Sequence, residues 1–246
     1  MSASQSTNES NNGEKDVTDP SSVDSVRTQR IQRIDGKYIL SEIGSVLNFQ
    51  KGILYTIREL LLRPGSSIRQ FLHVDRSKLV KPIGFIILCS LVYILVQQML
   101  GFQDGYLNYN DLAWGESTVG TILSWVSENY GFANIILAIF LALWAKLFFR
   151  RYDYNFFEIL VLLYFLMGMQ MLIMTVFGII ETLVNVTILD KGSLIAVLYV
   201  CWGIGSFFEG GKKRNYPKAF LTYMLGLMAF IIATMIIGSL VDLVIR

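Results

Sequence analysis

Ile159-Leu-Val-Leu-Leu-Tyr-Phe-Leu-Met-Gly-Met-Gln-Met-Leu-Ile-Met-Thr-Val-Phe-Gly-Ile-Ile180 carries no charged side chain from one end to the other. A bilayer core of about 30 Å is crossed by roughly 20 mostly apolar residues of helix, and this run has that length. Four more runs share its character, over 83–100, 132–149, 194–208 and 219–241. A lone strand in lipid would leave its backbone N–H and C=O groups unsatisfied, so all five are expected to be helices. The expected fold class is therefore all-α: a polytopic membrane protein whose bundle, 82–246, holds five transmembrane helices and follows cytoplasmic amphipathic helices over 36–81. Composition agrees, since 53% of the residues are hydrophobic and only 16% charged, a balance ill suited to a water-facing surface.

Lys and Arg near the ends of such runs stay on the cytoplasmic side during insertion. Arg76, Lys78 and Lys81 precede the first run; Lys146, Arg150 and Arg151 close the second; Lys212, Lys213, Arg214 and Lys218 join the fourth to the fifth. Between Leu100 and Phe132 the charges are all acidic, Asp104, Asp111, Glu116 and Glu128, and the loop after the third run offers only Lys191. The expected topology, in an inner (plasma) membrane, has the amino terminus cytoplasmic and Arg246 extracytoplasmic. Val119, Ile122, Leu123, Val126 and Tyr130 recur at helical spacing among polar residues. That pattern reads as a helix lying on the outer face, with Trp125 at headgroup level.

Residues 1–35 are rich in Ser, Asn, Asp and Thr with little to bury, and are expected to form a disordered cytoplasmic tail. They hold no apolar signal-peptide core, which leaves the first span as the insertion signal. Two helical stripes follow, Ile39, Ile43, Val46 and Leu47, then Ile53, Leu54, Ile57, Leu60 and Leu61, with Gly52 between them. Arg63-Pro64-Gly65 is expected to end the second helix, and Ser66 or Ser67 to cap a short third over 68–72. Lys51, Arg58, Arg63 and Arg69 flank the stripes as in helices that lie in a membrane interface. Membrane lipids, anionic ones of the inner leaflet, are thus the expected partners. The other reading of this segment is a cap packed on the ends of the spans, and the two are compatible.

The run from Lys51 to Leu72, followed by Asp75-Arg76 and Val80-Lys81-Pro82, resembles an uncharacterised bacterial membrane-protein family widespread in Bacteroidetes. The residues that carry the resemblance are Gly52, Thr56, Glu59, Leu60, Pro64, Gly65, Ile68, Arg69, Arg76, Lys81 and Pro82. Many members place a zinc ribbon of paired Cys-x-x-Cys motifs before this segment, whereas the first cysteine here is Cys89, so the resemblance implies no metal-bound head. In topology alone the chain is also similar to the five-span Yip-type membrane proteins, a likeness that says little about activity.

Chemistry is sparse. The single histidine, His73, stands beside Asp75 and Arg76 without a Ser, Cys or Asp placed as partner, and reads as a solvated or capping side chain. Cys89 and Cys201 lie in apolar runs, where thiols behave as small apolar groups. Gly203-x-Gly205 is inside a run and reads as packing. No catalytic residue, cofactor or metal is expected, and nothing points to nucleic acid. Charges in the bilayer centre are costly and usually functional, but none is central here. Lys146 and Asp242 lie near run ends, Lys146 able to reach the headgroups along its alkyl stem. The most interior polar group is Gln170, among Met167, Met169, Met171 and Met174, either a substrate or ion contact or, more commonly, an interhelical hydrogen bond. Ala229 and Ala233 with Gly226 and Gly238, and Gly203, Gly205 and Ser206, mark the fourth and fifth spans as the expected inner helices.

Three function classes remain: a non-catalytic scaffold or adaptor with a protein partner or self-association, a small transporter or channel subunit, and a lipid-acting membrane enzyme. A carrier should place ionisable groups or broken helices near the midplane, and an enzyme should place a nucleophile, base or metal cluster at one interface. Neither is found, so the scaffold is the expectation.

Overall fold

The computed structural model describes residues 52–101, 118–209 and 211–245. The amino-terminal tail, the stripe over 39–47, the acidic loop over 102–117 and Arg246 lie outside them. All regular structure among the described residues is helical. The helices are α1 (52–62), α2 (Pro64–His73), α3 (Pro82–Leu100), α4 (Thr118–Glu128), α5 (Tyr130–Phe148), α6 (Phe156–Val184), α7 (Leu189–Phe207) and α8 (Asn215–Ile245). A 3-10 turn, Arg150–Tyr152, follows α5.

Each boundary has a chemical cause. Pro82 starts α3 from its first turn, where its missing N–H costs nothing. The same helix ends at Gly101, whose φ of 69° is open to glycine without strain. Asn155 and Glu158 form a reciprocal capping box at the start of α6, each side chain accepting from the other's backbone N–H at 2.8 Å. The Glu181 carboxylate on α6 accepts from the N–H groups of Ile188 and Leu189, at 2.8 and 2.7 Å, and so starts α7. Pro64 opens α2 rather than only closing α1, and Ser66 and Ser67 lie inside its first turn instead of capping a helix over 68–72.

Four segments are long and apolar enough to cross a membrane: Pro82–Leu100, Gly131–Phe148, Phe156–Val184 and Asn215–Leu243. The expected fifth, α7, falls short of them in apolar character, because Asp190 and Lys191 occupy its first turn and glycine and serine recur along it. It is nonetheless a continuous 19-residue helix, about 28 Å long at 1.5 Å per residue.

The bundle is arranged around α6. Phe85 of α3 meets Phe165 at 5.7 Å, and a Cβ at Gly168 would touch Phe85 and Cys89, so α3 and α6 run parallel. Gly203 of α7 faces Leu166 and Gly192 faces Phe177, which makes α7 antiparallel to α6 over most of its length. Helix α8 closes against α5, with Gly226 on Leu141, and against α7, with Tyr216 on Gly205. Burial corrects one member of the expected inner pair: 17% of the α8 crossing is buried against 67% of α6, whereas α7 does turn Ala196, Val200, Gly203 and Ile204 into the interior. Small residues allow close approach but do not set depth: α6 is enclosed by α2, α3, α5 and α7, whereas α8 leaves Met228, Ile232, Ile236 and Leu240 facing outward.

Helix α4, expected along the outer face, packs its first turn on the far end of α8. Phe140 meets Phe230, Leu141 meets Gly226, and beyond the break at Asn129, Val119 meets Gly238 and Thr118 meets Asp242. The Asp242 carboxylate accepts from the Thr118 N–H at 3.1 Å and from its hydroxyl, capping α4.

Apolar side chains turned away from the core line every long helix. On α3 they are Ile83, Ile87, Leu91, Leu95 and Met99, one per helical turn; on α7 they are Leu194, Ile195, Leu198 and Trp202. An apolar surface this extensive suits hydrocarbon and not water. With its four crossing-length helices, the chain has the build of a helical membrane protein.

Candidate functional site

The start of α3, the α5–α6 turn, the α7–α8 connector and helix α2 all meet at one end of the bundle. That end holds Arg76, Lys78, Lys81, Lys146, Arg150, Arg151, Lys212, Lys213, Arg214 and Lys218. At the opposite end the described charges are Glu181, Asp190, Lys191 and Asp242.

The motif residues turn out to be a docking device at the basic end. Thr56 donates its hydroxyl to the Gly52 carbonyl at 2.8 Å and accepts from the Val80 N–H at 3.1 Å, tying α1 to the chain that leads into α3. The Ser67 hydroxyl lies 3.2 Å from the Glu59 carboxylate, which staples α2 to α1. Leu60 is fully buried, and its carbonyl accepts from the Tyr199 hydroxyl of α7 at 2.9 Å. At Gly65 the two backbones touch: a Cβ there would sit 2.4 Å from the Ser206 carbonyl carbon and 2.6 Å from the Phe207 nitrogen. Next to it, Arg69 donates to the carbonyls of Ser206 and Phe207, both at 2.6 Å. A helix C-terminus leaves such carbonyls unpaired and bears partial negative charge, so one cationic guanidinium nitrogen, Nη1, with its two N–H bonds satisfies both demands. Ile68 is buried beneath the hairpin, whereas Arg76 and Lys81 are exposed and, with Pro82, line a second hollow of about 930 Å³.

The hairpin leaves a second face uncovered. Leu54 is 70% exposed, and Leu61 and Leu62 lie exposed with it beside Arg58 and Arg63. This face is apolar with a cationic border.

The α5–α6 turn and the α7–α8 connector are joined by aromatic rings and one amide. Phe149 and Phe208 stack at 4.0 Å, and Tyr154 packs on Phe207 at 4.6 Å. The buried Asn215 amide donates to the Tyr152 hydroxyl at 3.0 Å and to the Phe208 carbonyl. Lys146, expected to reach for headgroups, instead donates to the Tyr154 carbonyl at 2.5 Å. Burial pushes the Tyr154 phenol above its ordinary value, with Arg69 opposing the shift.

Between these walls lies a cavity of about 710 Å³. Five cations line it, Arg151, Lys212, Lys213, Arg214 and Lys218, with one carboxylate, Glu209. Phe148, Tyr152 and Asn215 complete it. Glu209 pairs with Lys212 and raises its pKa, and the Lys212 ammonium stands 5.7 Å from the centre of the Tyr152 ring. Among the described residues, the other four cations have no carboxylate within ion-pair distance.

The remaining sequence candidates are scattered. Gln170 is 1% exposed in the middle of α6 and donates to the Tyr223 hydroxyl of α8 at 3.4 Å, the geometry of an interhelical hydrogen bond. His73 ends α2 against the Tyr154 ring at 5.6 Å. Cys89 and Cys201 are buried on different helices. Tyr152, Phe208 and Asn215 went unnoticed in the sequence, as did the convergence of Arg151 with the connector lysines. Their common signal was proximity to charge-rich turns.

A family described as Protein of unknown function (DUF3667) matches residues 50–94, which cover α1, α2 and two thirds of α3. No curated protein and no solved structure matches the chain.

Proposed function

We propose that this chain is a non-catalytic membrane scaffold or adaptor of a bacterial inner membrane, crossing it five times with the basic end in the cytoplasm. α7 is the fifth crossing: it connects the same two ends as α6 and carries an outward apolar stripe like its neighbours. The amino terminus is then cytoplasmic and Arg246 extracytoplasmic, as Lys and Arg retention favours. The single observation that carries the reading is the gathering of cations from three separate connections onto one end, beside the uncovered Leu54, Leu61 and Leu62 face. Such an end binds anionic inner-leaflet lipid through charge and apolar insertion together, and holds the uncovered face of α1 at the membrane surface for a partner or a second copy.

Full-length protein in nanodiscs tests this. Lipid retention should rise with the anionic fraction, and Leu54→Ser with Leu62→Ser, which leave the docked face intact, should reduce it. Retention indifferent to lipid charge, or solute flux across reconstituted vesicles, would overturn the reading.

A further inference from the structure

We propose that the cavity between the α5–α6 turn and the α7–α8 connector is a specific site for a phosphate-bearing anion. The inference deepens the anionic-lipid reading of the basic end by assigning one place in it to one chemistry.

Four cations with no carboxylate partner share one small space, Arg151, Lys213, Arg214 and Lys218. Their mutual repulsion favours any anion that enters. The first turn of α8 opens onto the same cavity at Asn215, so the positive end of its helix dipole adds to the attraction. Arginine matches phosphate oxygens in a fork, and lysine adds compact charge. The walls are pre-set, because the Phe149–Phe208 stack and the Asn215–Tyr152 hydrogen bond hold the two connections together before any ligand arrives. A bound anion therefore need not order the backbone.

Size and surroundings narrow the ligand. About 710 Å³ lies within the range of small-molecule sites and exceeds what a bare phosphate needs. Phe148 lines the cavity, and the exposed Leu147, Phe220 and Leu221 continue an apolar surface away from it. A headgroup in the cavity could leave its acyl chains along that surface. The shared chemistry is a phosphate ester, from a lipid or from a soluble molecule.

The test uses full-length protein in two arms. In the first, nanodiscs of zwitterionic lipid with or without phosphatidylglycerol or cardiolipin are compared by native mass spectrometry. In the second, pyrophosphate is titrated into detergent-solubilised protein and read by calorimetry. The variant Arg151→Ala/Lys213→Ala/Arg214→Ala changes exposed side chains only, and Arg76→Ala/Lys78→Ala removes charge from the same end outside the cavity. The cavity variant should lose affinity by at least roughly tenfold while the control variant keeps it. Glu209→Gln, which removes the one carboxylate, should tighten binding. Binding in the first arm alone assigns the site to lipid, and binding of pyrophosphate alone assigns it to a soluble phosphate ester. Equal losses in both multiple variants would replace the site by diffuse charge, overturning this inference and sparing the scaffold reading. Retention independent of anionic lipid in every protein would sink the scaffold reading, and the absence of pyrophosphate binding as well would sink this inference with it.

Discussion

At Gly65 a hydrogen atom is all the space permits, because two of the three nearest atoms, beside the Ser206 Oγ, are backbone atoms of residues 206 and 207 and cannot turn aside. Gly65→Ala should lift α2 from α7 and cost about 1–3 kcal/mol. Gly84 is the internal control: a Cβ there meets nothing within 4 Å, and alanine in that helix should be neutral or stabilising by up to about 1 kcal/mol. Thermal unfolding of the two variants in the same detergent separates them. Arg69→Ala strands two carbonyls and should cost about 1.5–3 kcal/mol, whereas Arg69→Lys keeps the charge on a shorter side chain that reaches the pair of carbonyls less well, and falls between. On the exposed turn before α3, Asp75 accepts from both the hydroxyl and the N–H of Ser77, and these bonds hold its carboxyl below the ordinary 3.8. A depressed carboxylate contributes order above its unfolded pKa and loses it as pH falls through the folded one. Ser77→Ala should move the Asp75 titration, followed by carboxyl NMR, back up toward 3.8.

Among elements, the long helices were legible because an uninterrupted apolar run admits few other structures in lipid. Their starts were less so. α6 begins at Phe156 rather than 159, and the cause, Asn155 with Glu158 three residues on, stands in the sequence as a capping signature. The lysines and arginines of the connectors were readable as markers of sidedness, but not as a cavity. Arg151 and Lys213 meet only through the antiparallel docking of α5, α7 and α8. For the same reason the motif around Gly65 could be recognised and not explained, since Arg69 finds its acceptor 137 residues away. The staple at Asn215 is an element-scale feature too, one side chain serving two connections. Asn215→Ala should loosen both, at about 1–3 kcal/mol, and show as faster hydrogen exchange across 150–154 and 208–214 together. Asp242→Ala should free the start of α4 for about 1 kcal/mol, with faster exchange confined to 118–122.

For the whole molecule, two helices exceed the thickness they have to cross. α6 and α8 contain 29 and 31 residues, about 43 and 46 Å at 1.5 Å per residue, against a hydrocarbon core of about 30 Å. Tilt or projection into the headgroups must absorb the difference, and the pairing of α4 with the far part of α8 gives that projection a partner. A reporter fused after Arg246 addresses the proposed five crossings directly. A periplasm-dependent reporter should be active there, and a cytoplasm-dependent one silent.

The Arg69 contact also sets an order of assembly. The ribosome makes the α1–α2 hairpin first, yet its seat is the end of α7, about 137 residues later in the chain. At about 5–20 residues per second, the seat emerges roughly ten seconds after its occupant. Until then the face around Leu60, Gly65 and Ile68 has no surface of its own chain to close upon. The first described helices therefore wait for α7 before they can settle, and only α8 remains to be made once their seat exists.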